Sequence, residues 1–209
     1  MTFVGTVTSL EHHRRTRARR VVGARHLLPQ PTLFFDLRSP YTYLVAERAD
    51  RLFESLDWQP ASADILHGGE QGDESPRAAA ERARLLGLPL VWPEDRPYRV
   101  LGAMRVASLA AEHGCGAAFA LAASRLAFCG GFDVDDPEIL AEAAAAAGMA
   151  LDDALHAAGD VARDGPIEAA ARTLIAAGAQ RLPLLQVGRT LFCGEERLIE
   201  AAAAARAAV

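Results

Sequence analysis

The sequence contains no lysine, so arginine supplies all 22 of its strongly basic side chains. We attribute this bias, like the long alanine runs, to coding composition rather than to function. Cysteine is also scarce, since Cys115, Cys129 and Cys193 are too few and too widely spaced for a disulfide framework. Neither a C-x-x-C pair nor a histidine-paired ligand spacing is present. The sequence therefore predicts no metal site and favours a reducing, cytoplasmic location.

Long hydrophobic runs are missing as well. No uninterrupted apolar segment reaches the length of a membrane span, so we expect a soluble protein that does not bind membranes.

The net charge of -5 conceals an asymmetry, because residues 1–30 hold six arginines and one acidic residue, whereas the remainder is acidic. An acidic domain argues against nucleic-acid binding, which needs a basic face. No apolar run of signal-peptide length follows the arginines, so we interpret residues 1–30 as a disordered leader or a wrongly assigned start, with a basic interaction tail as the alternative.

The most informative segment is residues 33–44, which indicates a buried strand running into a capped helix. Ser39 has the position of an N-cap, Pro40 suits the first helical turn, and Tyr41 begins the apolar positions that recur at helical spacing. A helix N-terminus presents unpaired N–H groups and a partial positive charge. An anion, including a thiolate, would be stabilised beside the Ser39 hydroxyl. The alternative is that Ser39 only caps the helix.

The rest of the chain predicts further strands and helices in a definite order. A chain of 209 residues with 51% hydrophobic content is long enough for one well-packed domain or a domain with a large insert. We expect a second strand at residues 58–66, a helix from about Pro166 to Gly178, a return strand at residues 182–187, a tight hairpin, and a final helix after Gly194. Frequent helix stops between the second strand and Pro166 indicate an all-helical insertion at residues 68–162.

Three segments carry a resemblance to a known family. Residues 36–44, Asp-Leu-Arg-Ser-Pro-Tyr-Thr-Tyr-Leu, resemble the F-D-x-x-S-P-Y-x-Y-L signature of the 2-hydroxychromene-2-carboxylate isomerases, which are similar to kappa-class glutathione transferases and DsbA-type oxidoreductases. Residues 178–185 resemble the family's G-V-x-G-V-P-T-F stretch, and residues 191–198 resemble its L-F-W-G-x-D-R-L stretch. The resemblance implies an α/β, thioredoxin-like fold in which residues 31–67 and 163–209 form the thioredoxin-like domain around the helical insertion.

The resemblance also implies a glutathione site. Ser39 occupies the place of the nucleophilic cysteine of the disulfide oxidoreductases, where a hydroxyl cannot form a mixed disulfide. It would instead hydrogen-bond the sulfur of glutathione, or of another low-molecular-weight thiol. Pro183 would be cis and would turn the backbone of Leu182 toward this thiol. Glu196, with Glu195 beside it, would receive the γ-glutamyl amino group, although acids are favoured in the first turn of any helix.

Four further residues are candidates for a substrate pocket: Tyr41, Trp92, Arg181 and Cys193. Arg181 replaces a family glycine, and we expect it to face the site entrance and bind a carboxylate, unless it is only a solvated loop residue. Cys193 replaces a family tryptophan and is either a reactive thiol or a small buried hydrophobic residue. Trp92 would wall an aromatic site or belong to the core.

The function implied by the resemblance is that of a glutathione-dependent isomerase. It would act on an aromatic hydroxy or oxo acid by reversible thiolate addition, with a small molecule as its substrate and with homodimers common among relatives. A kappa-like glutathione transferase, which would release the thiol adduct, is one alternative. A non-catalytic thioredoxin-fold binding module is another.

Overall fold

The computed structural model describes residues 30–67, 75–93 and 100–208. The predicted leader lies outside the described residues except for its last position. A four-stranded sheet has the order β2-β1-β3-β4, formed by β1 (Thr32–Phe35), β2 (Asp57–Pro60), β3 (Leu184–Val187) and β4 (Thr190–Cys193). Strand β1 pairs in parallel with β2 and antiparallel with β3, and β3 and β4 form an antiparallel hairpin.

Nine α-helices accompany this sheet in the described part of the chain. They are α1 (Pro40–Leu52), α2 (Ala63–Leu66), α3 (Pro76–Leu86), α4 (Leu101–Glu112), α5 (Gly116–Phe128), α6 (Pro137–Ala146), α7 (Leu151–Gly159), α8 (Asp164–Ala176) and α9 (Leu198–Ala207). Short 3-10 turns at Val161–Arg163 and Glu195–Arg197 lead into α8 and α9. The helix predicted after Gly194 therefore begins with a 3-10 turn.

The predicted second strand is wrong in its second half. Strand β2 ends at Pro60, and residues 63–66 form the short helix α2 instead. The Ser62 hydroxyl caps this helix by accepting a hydrogen bond from the Ile65 N–H at 3.3 Å. Serine competes for local backbone groups in this way, which favours a helix start over a continued strand.

Alternating side chains of the sheet build two separate cores. Leu33, Phe35 and Leu185 point to one face and join a cluster that extends without interruption into Phe119 and Phe128 of helix α5. The helical segment therefore packs directly on the sheet, sharing its main core. The opposite face carries a smaller cluster that includes Leu184 and is covered by helix α8. The boundaries at residues 67/68 and 162/163 between the thioredoxin-like domain and the insertion stay a prediction.

No helix among the described residues is long and apolar enough to cross a membrane.

Candidate active site

The connection between β1 and α1 is fixed by the backbone of Asp36. Its carbonyl oxygen accepts hydrogen bonds from the Ser39 N–H at 3.1 Å and from the Thr42 hydroxyl at 2.7 Å. Ser39 stands at the N-cap position in an extended conformation, with φ -86° and ψ 125°. Its hydroxyl makes no capping hydrogen bond to the helix, although the residue is only 5% exposed. The position of Ser39 is as expected, but capping is not the task of its side chain.

The Asp36 carboxylate joins this connection to the start of α2. Its two oxygens accept hydrogen bonds from the N–H groups of Arg38 and Ala63, both at 2.8 Å. Burial raises the pKa of this carboxyl above its usual value, and the nearby Arg38 guanidinium and the two N–H donors only partly oppose that effect. The segment that carries Ser39 is thereby held against a second helix. Sequence patterns gave no signal for this contact.

The peptide bond between Leu182 and Pro183 is cis, which confirms the expected geometry of the proline. The Pro183 carbonyl accepts a hydrogen bond from the Gly194 N–H at 2.8 Å, so the proline loop is tied to the start of the last helix. Among residues 30–67, 75–93 and 100–208, no backbone hydrogen bond engages the N–H or the C=O of Leu182. Both groups can therefore pair with an extended ligand backbone.

A cavity of about 480 Å³ lies where the start of α1, the helix α3, the proline loop and the last 3-10 turn come together. This volume falls within the usual range of small-molecule sites. Five residues singled out from the sequence line it: Tyr41, Arg181, Leu182, Glu195 and Glu196. Five that were not singled out line it as well: His67, Ser75, Ala78, Arg82 and Gly194.

The other predicted site residues lie outside this lining. Ser39 and Pro183 are buried, and each is close in sequence to a lining residue: Ser39 lies two residues before Tyr41, and Pro183 follows Leu182. Trp92 is partly buried and packs edge-on against Phe128 of the main core, with ring centroids 6.0 Å apart. Cys193 is half-buried at the end of β4 and packs on the smaller core. The structure thus brings Tyr41 and Arg181 into one cavity and places Trp92 and Cys193 elsewhere.

Glu195 is the most buried charge at the cavity, with a side chain only 1% exposed. Arg48 donates to one of its oxygens, and Arg82 donates through Nε at 2.5 Å and through Nη2 at 3.2 Å. The hydrogen bond to Glu195 raises the pKa of Arg82, which keeps this guanidinium charged. Since Arg48 lies on α1 and Arg82 on α3, three distant segments converge on one carboxylate. Glu195 therefore already has two cationic partners.

Arg181 and Glu196 form a separate ion pair at the cavity, each about half exposed. Gly194 lies against this pair and has a φ of 94°, a conformation that favours glycine. A Cβ at this position would lie 2.6 Å from the Glu196 carboxylate and 2.7 Å from Nη2 of Arg181. A larger residue would therefore displace the pair. Arg181 lines the cavity as expected, but its partner within the protein is Glu196.

The residue at the start of α1 is a serine rather than a cysteine. The three cysteines are free thiols, and none lies at the start of α1, so this position supports no dithiol exchange. Among the described residues no group of three or more histidine, cysteine, aspartate or glutamate side chains is arranged to hold a metal ion. The candidate site thus consists of a serine at a helix N-terminus, a cis-proline loop and a cavity with charged walls.

A mixed four-stranded sheet, a cis-proline loop and a helix N-terminus at one cavity define a thioredoxin-like α/β fold with a helical insertion. The family model of the DSBA-like thioredoxin domain matches residues 32–204, and the chain belongs to this family. The predicted fold class is thereby confirmed.

Several solved structures are similar to this one, including the two that follow. A 2-hydroxychromene-2-carboxylate isomerase has a TM-score of 0.70 and 16% identity, over 83% of this chain and 93% of that chain. A probable DsbA oxidoreductase from Streptomyces coelicolor has a TM-score of 0.67 and 18% identity, over 86% of this chain and 89% of that chain. No curated protein matches the chain in sequence. At these identities the similarity establishes the fold alone.

Proposed function

We propose that the protein is a glutathione-dependent isomerase of the 2-hydroxychromene-2-carboxylate type, acting on an aromatic hydroxy or oxo acid. The observation that carries this proposal is Ser39 at the N-terminus of α1, where disulfide oxidoreductases of this fold place their cysteine. Its side chain is not used to cap the helix. A hydroxyl in this position favours the thiolate of a bound cofactor and cannot exchange disulfides itself.

The cavity fits a tripeptide thiol in size and in charge. Glutathione carries two carboxylates and one ammonium group, and the cavity walls offer positive charges from arginines and negative charges from glutamates. The N–H and C=O of Leu182 suit the backbone of its cysteinyl residue. Glu196 is half exposed, so it can exchange Arg181 for the ammonium group at little cost. Glu195 is less suited to that role, because Arg48 and Arg82 already surround it.

Bound glutathione would supply the nucleophilic thiolate that adds reversibly to a conjugated carbon of the substrate. The protein's own residues have three tasks. Ser39 donates a hydrogen bond to the sulfur, and the partial positive charge at the start of α1 favours the anionic form. Leu182 fixes the cysteinyl backbone. Tyr41 gives the cavity an aromatic wall.

One observation favours a second candidate, the non-catalytic binding module. Ser39 is buried and does not line the cavity, whereas Tyr41 does. If the hydroxyl stays out of reach of a bound thiol, the cavity would still hold a ligand but would not activate it. Glutathione binding without a lowered thiol pKa would distinguish this candidate from the isomerase.

The test is an assay with 2-hydroxychromene-2-carboxylate and glutathione, followed by the absorbance of the ring-opened isomer. The proposal expects turnover that requires glutathione, no reduction of insulin, and a large loss of turnover in Ser39→Ala. Ser124→Ala, which removes a buried hydroxyl from α5, is the matched control and should retain full activity. Release of a glutathione conjugate in place of the isomer would indicate the kappa-like transferase. If none of the aromatic hydroxy acids tested is turned over, the proposal is contradicted.

A further inference from the structure

The positive charges of the arginines near the cavity outnumber the negative charges of the glutamates they pair with. In the described part of the chain, Glu195 is paired with Arg48 and Arg82, and Glu196 is paired with Arg181. Three arginines therefore face two glutamates. Because arginine stays protonated at every ordinary pH, these two ion-paired groups together carry one more positive than negative side chain. Such a set is complementary to an anionic ligand.

The two arginines that line the cavity differ in how firmly they are held. Arg181 and its partner Glu196 are each about half exposed, and a pair of this kind is mobile and screened by salt. Arg82 is one-third exposed and is anchored through Nε and Nη2 to the buried carboxylate of Glu195. Its guanidinium plane is therefore already oriented, so less entropy is lost when it binds a ligand.

The anchoring bonds use only one edge of the Arg82 guanidinium. Both involve Nε or Nη2, and within the described residues no hydrogen bond from Nη1 is found. The donors on Nη1 thus remain for a group in the cavity that Arg82 lines. A guanidinium binds carboxylates and phosphates through charge-assisted hydrogen bonds, and the ligands of the proposed function carry carboxylates.

We infer that Arg82 binds a carboxylate of the ligand in this cavity, the role that the sequence suggested for Arg181. The inference rests on the proposed function for its ligand class, since both the tripeptide thiol and the aromatic acid carry carboxylates. The shared chemistry is a carboxylate on the Nη1 side of Arg82, with Glu195 and Arg48 as the support that orients it. Helix α3, within the predicted insertion, would then contribute to ligand specificity.

The experiment compares Arg82→Gln with Arg84→Gln, a matched change on the same helix at an exposed arginine paired with Glu81. The probes are glutathione, measured by calorimetry, and salicylate, an aromatic hydroxy acid measured by its fluorescence. Salicylamide is the uncharged counterpart. We expect Arg82→Gln to weaken glutathione or salicylate binding about tenfold or more, with salicylamide and the Arg84→Gln variant unchanged. The affected probe identifies whose carboxylate Arg82 binds.

A second pair of variants tests whether Arg82 binds the ligand or only neutralises the charge of Glu195. Glu195→Gln removes the internal charge, and Arg82→Gln with Glu195→Gln replaces both partners by neutral groups of similar size. The inference expects the double variant to bind the affected probe about tenfold more weakly than Glu195→Gln alone. Equal affinity of these two variants would mean that Arg82 only neutralises Glu195, and would overturn the inference.

The binding measurements also distinguish failure of the carboxylate site from failure of the proposed function. Binding of salicylate that depends on Arg82, without any binding of glutathione, would support the carboxylate site and contradict the glutathione-dependent isomerase. Glutathione and salicylate binding that are both indifferent to Arg82 would overturn the carboxylate site and leave the isomerase standing.

Discussion

The buried carboxylate of Glu195 should be a major source of stability at the cavity. Glu195→Gln keeps the shape of the side chain but removes the charge that accepts three hydrogen bonds from Arg48 and Arg82. Breaking a fully buried pair costs about 3–5 kcal/mol. Here the arginine side chains are 19% and 33% exposed and regain some hydration. We therefore expect a loss of about 2–3 kcal/mol in the free energy of unfolding.

Urea unfolding measures this loss directly. With a urea slope of about 2–3 kcal/mol per molar, the midpoint of Glu195→Gln should fall by about 1 M with the slope unchanged. Glu81→Gln is the matched control, because Glu81 pairs with Arg84 at the exposed surface of α3. It should leave the midpoint where it is. A Glu195→Gln midpoint within error of the wild type would refute the reasoning that this ion pair stabilises the fold.

Two further predictions concern the dependence of stability on pH. Because burial raises the pKa of Asp36 in the folded state above its ordinary value of 3.8, its charge destabilises the fold, and stability should rise as pH falls through that folded pKa. Asp36→Asn should lack this rise in urea midpoints measured between pH 7 and pH 4. Arg105 lowers the pKa of Asp164, so this pair stabilises the fold above pH 3.8 and the contribution is lost as pH falls through the lower folded pKa. Asp164→Asn should thus be less stable than the wild type at pH 7, with a difference that disappears in strong acid, and a difference that persists there would contradict the assignment to charge.

Local signals in the sequence predicted the parts of the site that depend on neighbouring residues. The Ser-Pro pair at residues 39–40 predicted the start of α1, and Gly194 predicted the start of the last helical segment. The cis geometry of Pro183 came from resemblance rather than from propensity. Strand β2 ended early because Ser62 caps a short helix, a local competition that an apolar pattern does not reveal.

Contacts between distant segments could not be predicted in the same way. Glu195 is 147 residues from Arg48 and 113 residues from Arg82 along the chain, and nothing in their local sequence indicates that they meet. The contact of Asp36 with Ala63 is similar, because it depends on how α2 packs after β2 ends. Charge partners are set by the tertiary fold, whereas caps and turns are set within a few residues.

The claim that Ser39 favours a bound thiolate is tested most directly by the thiolate absorbance of bound glutathione as a function of pH. In the wild type the thiol pKa should lie below the ordinary value of about 8.5, and Ser39→Ala should bring it back toward that value. Ser124→Ala should titrate as the wild type does. Identical titration curves for Ser39→Ala and the wild type would contradict the account.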